Sequence, residues 1–132
     1  MVKKSAAPKT TRKAMTAVEL EMMNIIWRMG PCSVAQVQEA LRPQRELAYT
    51  SVSTIVRILE QKGFVASRKE GRGHLYEAAV SKEAYQALSL KQLVRNVFDG
   101  EPSLLVQRLL DAESLTSAEL AQIKTLLRRK EV

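Results

Sequence analysis

Four hydroxyl side chains fall within five residues, at Thr50, Ser51, Ser53 and Thr54. Such a row can supply nucleophiles or hydrogen-bonding groups. Nucleophilic work needs a neighbouring base, and the sequence has a single histidine, His74, and a single cysteine, Cys32. His74 follows Gly73 in a turn-like stretch and has no orienting carboxylate in a recognisable pattern. One His and one Cys cannot build a Cys/His metal cluster or a structural zinc site. The stretch "EGRG" lacks the glycine spacing and following lysine of a phosphate-cradling loop. No enzyme activity, metal or cofactor is expected. Cys32 follows Pro31 at a turn and reads as a structural thiol.

The hydroxyls make more sense as hydrogen-bonding groups. They sit in "AYTSVSTIVRILEQKG", residues 48–63, where Val52, Ile55, Val56 and Leu59 form an apolar stripe at helical spacing. Thr50, Thr54, Arg57 and Gln61 fall on another face, with Ser51 and Ser53 near its start. A recognition helix enters the major groove with its N-terminal residues at the base edges. Small side chains let it sit deep. Hydroxyls donate to or accept from bases, and a threonine methyl can touch a thymine methyl. Capping of the helix start would account for one of the four. Thr50, Ser51, Ser53 and Thr54 are therefore the expected base readers.

Other elements must hold that helix. Thr16 with Glu19 three residues on is a capping box that opens a helix. Leu20, Met23 and Trp27 share its apolar face, with Ile26 beside them. Gly30 and Pro31 stop it. Ser33 then caps a second helix with Val34, Val37 and Leu41 as its stripe. Pro43 ends that one, and the hydroxyl-rich helix follows, closing at Gly63. Three short helices with tight connections outline a helix-turn-helix unit.

Next come two short segments, 64–69 and 74–80, flanking "EGRG". They read as an antiparallel hairpin. Its tip and near strands carry Arg68, Lys69, Arg72 and His74, so the hairpin reads as a basic wing. Together with Arg57 these residues are the expected contacts to the DNA backbone. Phosphate contacts give affinity and register without sequence information.

Net charge supports a polyanionic partner. The 132 residues carry a formal net charge of +7. The first 80 residues hold 13 Lys and Arg against 7 Asp and Glu, while residues 81–132 hold 8 against 7. Residues 1–15 have no apolar periodicity and contain Lys3, Lys4, Lys9, Arg12 and Lys13, which predicts a flexible basic tail. No stretch has the apolar core of a secretory signal or the length of a membrane span. A lone cysteine suits a reducing compartment, so a cytoplasmic location is expected.

Residues 81–132 are helical and nearly neutral. Ser81 opens a segment with Leu90, Leu93 and Val97 at amphipathic spacing. "DGEP" interrupts it, and Leu105 and Leu109 lie in a short apolar helix. Thr116 and Glu119 make another capping box before Leu120, Ile123 and Leu127. About 50 residues bury too small a fraction of their surface to stand alone. These apolar stripes need a partner; a second copy of the same segment in a two-fold homodimer is the expected one, the alternative being packing back onto the N-terminal unit as one larger domain. Leu90, Leu93, Val97, Leu105, Leu109, Leu120, Ile123 and Leu127 are the expected dimer contacts. Arg128, Arg129 and Lys130 suit the C-terminal end of a helix dipole.

The strings "AVELEMMNIIWRMGPCSVAQVQEAL", "YTSVSTIVRILEQKGFV" and "RKEGRGHLYEAAVSKEAY" resemble the penicillinase-repressor family of bacterial winged-helix regulators. The resemblance runs from about Thr16 to the end and is strongest through Tyr85. It implies a homodimeric repressor on a palindromic operator, with Thr50, Ser51 and Thr54 at the base-reading positions and 68–74 as the wing. It also implies a dimer through the C-terminal helices. Members in β-lactam signalling are inactivated through a membrane sensor-protease system, by cleavage at an Asn-Phe bond. The matching place here holds Gln107-Arg108, a departure from that pattern. The paired Cys-x-Cys motifs of copper-responsive relatives are absent.

The expected architecture is thus mainly α with a small β-hairpin. It comprises a basic tail over 1–15, a winged helix-turn-helix over 16–80 and a helical dimerisation segment over 81–132. The expected function is a DNA-binding transcriptional repressor that some signal releases, with proteolysis in the C-terminal region as one route. The competing reading is a winged-helix module that binds protein and no DNA.

Overall fold

The computed structural model describes residues 14–113 and 115–131. Among them run six helices and one two-stranded antiparallel hairpin. The order is α1 (Ala17–Met29), α2 (Val34–Leu41), α3 (Tyr49–Gln61), β1 (Val65–Glu70), β2 (Gly73–Ala78), α4 (Lys82–Val97), α5 (Pro102–Asp111) and α6 (Ser117–Glu131). The arrangement is a winged helix-turn-helix followed by a helical segment. The chain divides into two compact units, residues 1–88 and 89–132.

Local chemistry sets the helix starts in the first unit. Thr16 Oγ1 accepts from the Glu19 amide, and Glu19 Oε1 accepts from the Thr16 amide. Ser33 and Gln36 repeat the device at α2. Each box satisfies two backbone donors that a helix start leaves open. Gly30 takes φ 79° just past α1, a conformation that suits glycine.

The core gathers Met22, Met23, Ile25 and Ile26 of α1 against the α2 stripe Val34, Val37 and Leu41. Val52, Val56 and Leu59 of α3 close it from the third side, fully buried with Phe64 below them. Burying each such aliphatic side chain contributes about 1.5–3 kcal/mol. Leu20, expected on the buried face of α1, is instead 37% exposed. The covered face of α1 is centred on the 22–23 and 25–26 pairs, because α2 and α3 both pack there.

The hairpin pairs Val65 with Ala78 through Glu70 with Gly73, leaving Gly71 and Arg72 as a two-residue loop. Gly71 sits at φ 60°, as such tight loops require. A third edge joins this sheet. Cys32 donates its amide to the Tyr76 carbonyl (2.9 Å), and Tyr76 donates back to Cys32 (2.7 Å). The α1–α2 turn is thereby pinned to β2.

Of the tail expected over residues 1–15, Ala14 and Met15 are held by the first unit. Met15 packs against the core, and Lys62 Nζ donates to the Ala14 carbonyl at 3.3 Å. Residues 1–13 lie outside the described residues. At the other end, the first compact unit runs on to Leu88, past the boundary expected after residue 80. Tyr85 accounts for the difference. Its ring meets Phe64 edge-on at 5.5 Å and Trp27 at 5.9 Å. Trp27 Nε1 also donates to the Val80 carbonyl at 2.8 Å.

In the second unit no described residue of α4, α5 or α6 is buried. Asp99 and Gly100 take positive φ and turn the chain between α4 and α5. Pro102 opens α5 at its first turn, where a missing amide costs nothing. Thr116 and Glu119 form the expected capping box at α6.

Candidate nucleic-acid interface

The α3 helix has one buried side and one open side. Thr50, Thr54 and Arg57 are exposed on the open side, opposite Val52, Val56 and Leu59. Ser51 is exposed on one flank of that face, and Ser53 is half-buried on the other. None of the four hydroxyls caps the helix. The cap position is Ala48, and it makes no side-chain hydrogen bond to the helix start. The amides of the first turn are therefore open at the end where the hydroxyls cluster.

The hairpin is braced against α3 by Ser67, whose Oγ donates to Glu60 Oε2 at 2.7 Å. Side chains alternate between faces along a strand. Ser67, Tyr76, Lys69 and His74 therefore share one hairpin face, with Lys69 directly across from His74. Burial pushes the Tyr76 hydroxyl above its ordinary pKa, and the Glu60 charge adds to this while Arg57 opposes it. The Ser67–Glu60 bond sets this hairpin face against the C-terminal half of α3. Thr50, Thr54 and Arg57 lie on the open side of α3, and Lys69 and His74 on the hairpin face that Ser67 braces against that helix. All of them are exposed. Arg72 is exposed in the hairpin loop.

Arg68 is arranged differently. It lies on the opposite hairpin face, 3.4 Å from Glu77 and 4.0 Å from Glu70. Its charge is already partnered, whereas no ion pair among the described residues engages Arg57, Lys69 or Arg72. The eight residues expected to form the dimer contact all fall in the second unit. Leu90, Val97 and Leu127 are 51%, 61% and 60% exposed. Leu93, Leu109 and Leu120 are also exposed, and Leu105 and Ile123 are half-buried.

Some supporting residues carry no local sequence signal. Lys62, at the C-terminal end of α3, donates to Glu19 Oε1 at 2.8 Å, and Glu19 is buried in α1. Tyr49 is 52% exposed at the first position of α3. Both relationships join residues far apart in sequence or depend on how α3 is rotated. Cys32 is fully buried, and burial pushes its thiol pKa up, away from reactivity. Among the described residues no group of His, Cys, Asp and Glu is placed to hold a metal ion. No described helix is long and apolar enough to cross a membrane.

A helix-turn-helix with a hairpin wing and an open polar face on its third helix defines a DNA-binding transcriptional regulator of the winged-helix class, not an enzyme. The penicillinase repressor family model matches residues 15–129, and the chain belongs to that family. It is similar to the methicillin resistance regulatory protein MecI of Mammaliicoccus sciuri, with 25% identity over 116 residues, 88% of this chain and 94% of that one. It is 40% identical over 60 residues to the transcriptional regulator BlaI of Mycobacterium tuberculosis, covering 45% of this chain and 44% of that one. Among solved structures it is similar to Bacillus licheniformis BlaI, in its monomeric form with the blaP half-operator. That match has 25% identity and a TM-score of 0.47, over 55% of this chain and 88% of that one.

Proposed function

We propose that the protein is a cytoplasmic repressor that binds a palindromic operator as a homodimer. The observation that carries this reading is the open face of α3, Thr50, Thr54 and Arg57, together with the exposed Lys69 and His74 on the hairpin face that Ser67 braces against α3. In the proposed complex α3 enters the major groove. Thr50, Ser51 and Thr54 meet base edges, and Ser53 supports them from the flank. Arg57, Lys69, Arg72 and His74 hold phosphates, and Arg68 adds a weaker contact because Glu77 competes for it. The uncapped amides at the start of α3 suit a phosphate oxygen.

The second unit supplies the pairing. Its exposed leucines and valines on α4, α5 and α6 suit a two-fold contact with a second copy. Two-fold pairing sets the half-sites about one helical turn apart, or a multiple of it, ~34 Å. Anything that separates the paired units releases the operator. Cleavage within α5 at Gln107–Arg108 by a membrane sensor-protease is one such event.

The test is a duplex titration with DNA from the protein's own promoter at several salt concentrations. A dimer that neutralises ~6–10 phosphates loses ~10³–10⁵ in affinity between 50 and 200 mM salt. A protected footprint with two-fold symmetry is expected. Binding that is absent, or insensitive to salt, would instead favour a winged-helix module for a protein partner.

A further inference from the structure

The start of α4 is pinned to the first unit at two separate points. Ala79 donates its amide to the Phe64 carbonyl at 2.8 Å, and the Val80 carbonyl accepts from Trp27 Nε1, also at 2.8 Å. Ser81 Oγ then accepts from the Ala84 amide in the first turn. These contacts fix the point where the chain enters α4. One fixed point leaves a rod free to swing, and Tyr85 supplies the second. Tyr85 is half-buried against the core of the first unit, with Phe64 edge-on at 5.5 Å and Trp27 tilted at 5.9 Å. Lys82 Nζ lies 5.9 Å from the centre of the same Trp27 ring, a cation over an aromatic face. Aromatic pairs prefer particular angles as well as distances, so this stack resists rotation. The chain passes into the second unit after Leu88, inside α4.

We propose that Tyr85 is a positioning residue for operator binding: its packing on Trp27 and Phe64 sets the direction in which α4 leaves the DNA-binding unit, and through it the half-site spacing that a paired repressor accepts. This deepens the operator-binding reading and rests on it. A swing about Ser81 is magnified along the helix. The 16 residues of α4 make a rod about 24 Å long at ~1.5 Å per residue. A tilt of ~10° moves its far end by about 4 Å, more than the ~3.4 Å rise of one base pair. Each base pair also turns a half-site by ~34° about the duplex axis. A dimer binds both half-sites only when its two recognition helices meet their grooves in register. Tyr85 meets no base in this arrangement and acts through the helix it holds. Loosening it leaves one half-site untouched and disturbs the register of two.

The test uses the full chain carrying Tyr85→Leu, which keeps apolar bulk and removes the ring contacts, or Tyr85→Phe, which keeps them. Tyr85→Met replaces Tyr85→Leu if far-UV dichroism shows that the latter does not fold. Each is titrated with the operator, with operators whose spacer is one base pair longer or shorter, and with a single half-site. The unaltered chain should lose about tenfold or more in affinity on either altered spacer. Tyr85→Leu should lose about tenfold on the operator, bind the three spacers within about threefold of one another, and keep its half-site affinity. Tyr85→Phe should behave as the unaltered chain does. A spacing preference that survives in Tyr85→Leu overturns the proposal alone. So does an equal loss on half-site and operator, which would mean a structural role only. If the unaltered chain binds no duplex, or binds every spacer alike, the paired-operator reading and this proposal fall together.

Discussion

Lys62 at the end of α3 donates to Glu19 Oε1 at the start of α1, 2.8 Å away, and both side chains are largely shielded from water. The contact joins two helices 43 residues apart in sequence. Removing one member of a shielded pair leaves the other charge uncompensated. Glu19→Ala also removes half of the α1 capping box. The expected cost is about 3 kcal/mol, read as a lower denaturation midpoint with an unchanged slope. A change under about 0.5 kcal/mol would show that water compensates the pair, as at exposed bridges.

The two sides of α3 should separate stability from recognition. Leu59→Ala opens a cavity in the core and should cost ~2–5 kcal/mol of stability. Thr54→Ala, on the open side, should leave stability within ~0.5 kcal/mol. It should instead lower discrimination between the operator and single-base variants by ~1–3 kcal/mol. Unchanged discrimination would remove Thr54 from the base readers.

The hairpin cations should not be equivalent. Lys69→Ala and Arg72→Ala should each reduce the salt slope of duplex binding by about 1 per protomer. Arg68→Ala should do less, because Glu77 and Glu70 already hold its guanidinium. An equal effect at all three positions would mean that Arg68 leaves Glu77 on binding.

Leu93→Glu, or Leu127→Glu, places a charge among the exposed apolar groups of the second unit. Sedimentation should show a shift from dimer to monomer, with far-UV dichroism unchanged and operator affinity reduced. A dimer that persists in both variants would move the pairing surface elsewhere.

Alkaline pH should destabilise the fold through Cys32. Burial raises its thiol pKa above the ordinary 9.0. A raised pKa in the folded state means that the unfolded chain loses its proton first. Stability is therefore full below pH 9.0 and falls as pH climbs from there toward the folded value. Tyr76 acts in the same direction above its ordinary 10.0, since burial raises its hydroxyl. Denaturation midpoints for the protein and for Cys32→Ala, measured from pH 7 upward, should converge as pH rises. Parallel curves would remove the thiol from the pH dependence.

Much of this protein is written locally. The Thr16–Glu19 and Thr116–Glu119 boxes, the Ser33 cap, the 3.6-residue stripes and the Gly-Arg turn each act within a few residues. The sequence by itself therefore determined the helices, the hairpin and the outline of α3 as a two-sided helix. It also determined the charge that calls for a polyanion, because charge needs no fold.

Other features waited for the chain to close on itself. Leu20 has the spacing of a buried residue, yet it stays 37% exposed because α1 turns its 22–23 and 25–26 pairs to the core. Arg68 and Lys69 are adjacent and alike in charge, but strand alternation sends Arg68 to Glu77 and leaves Lys69 beside His74. The Cys32–Tyr76 bridge and the Lys62–Glu19 pair join residues that no local spacing connects. Side-chain type sets what a residue can do, and that is local. Which neighbours desolvate or neutralise it depends on packing across the chain, and only the tertiary structure decides that.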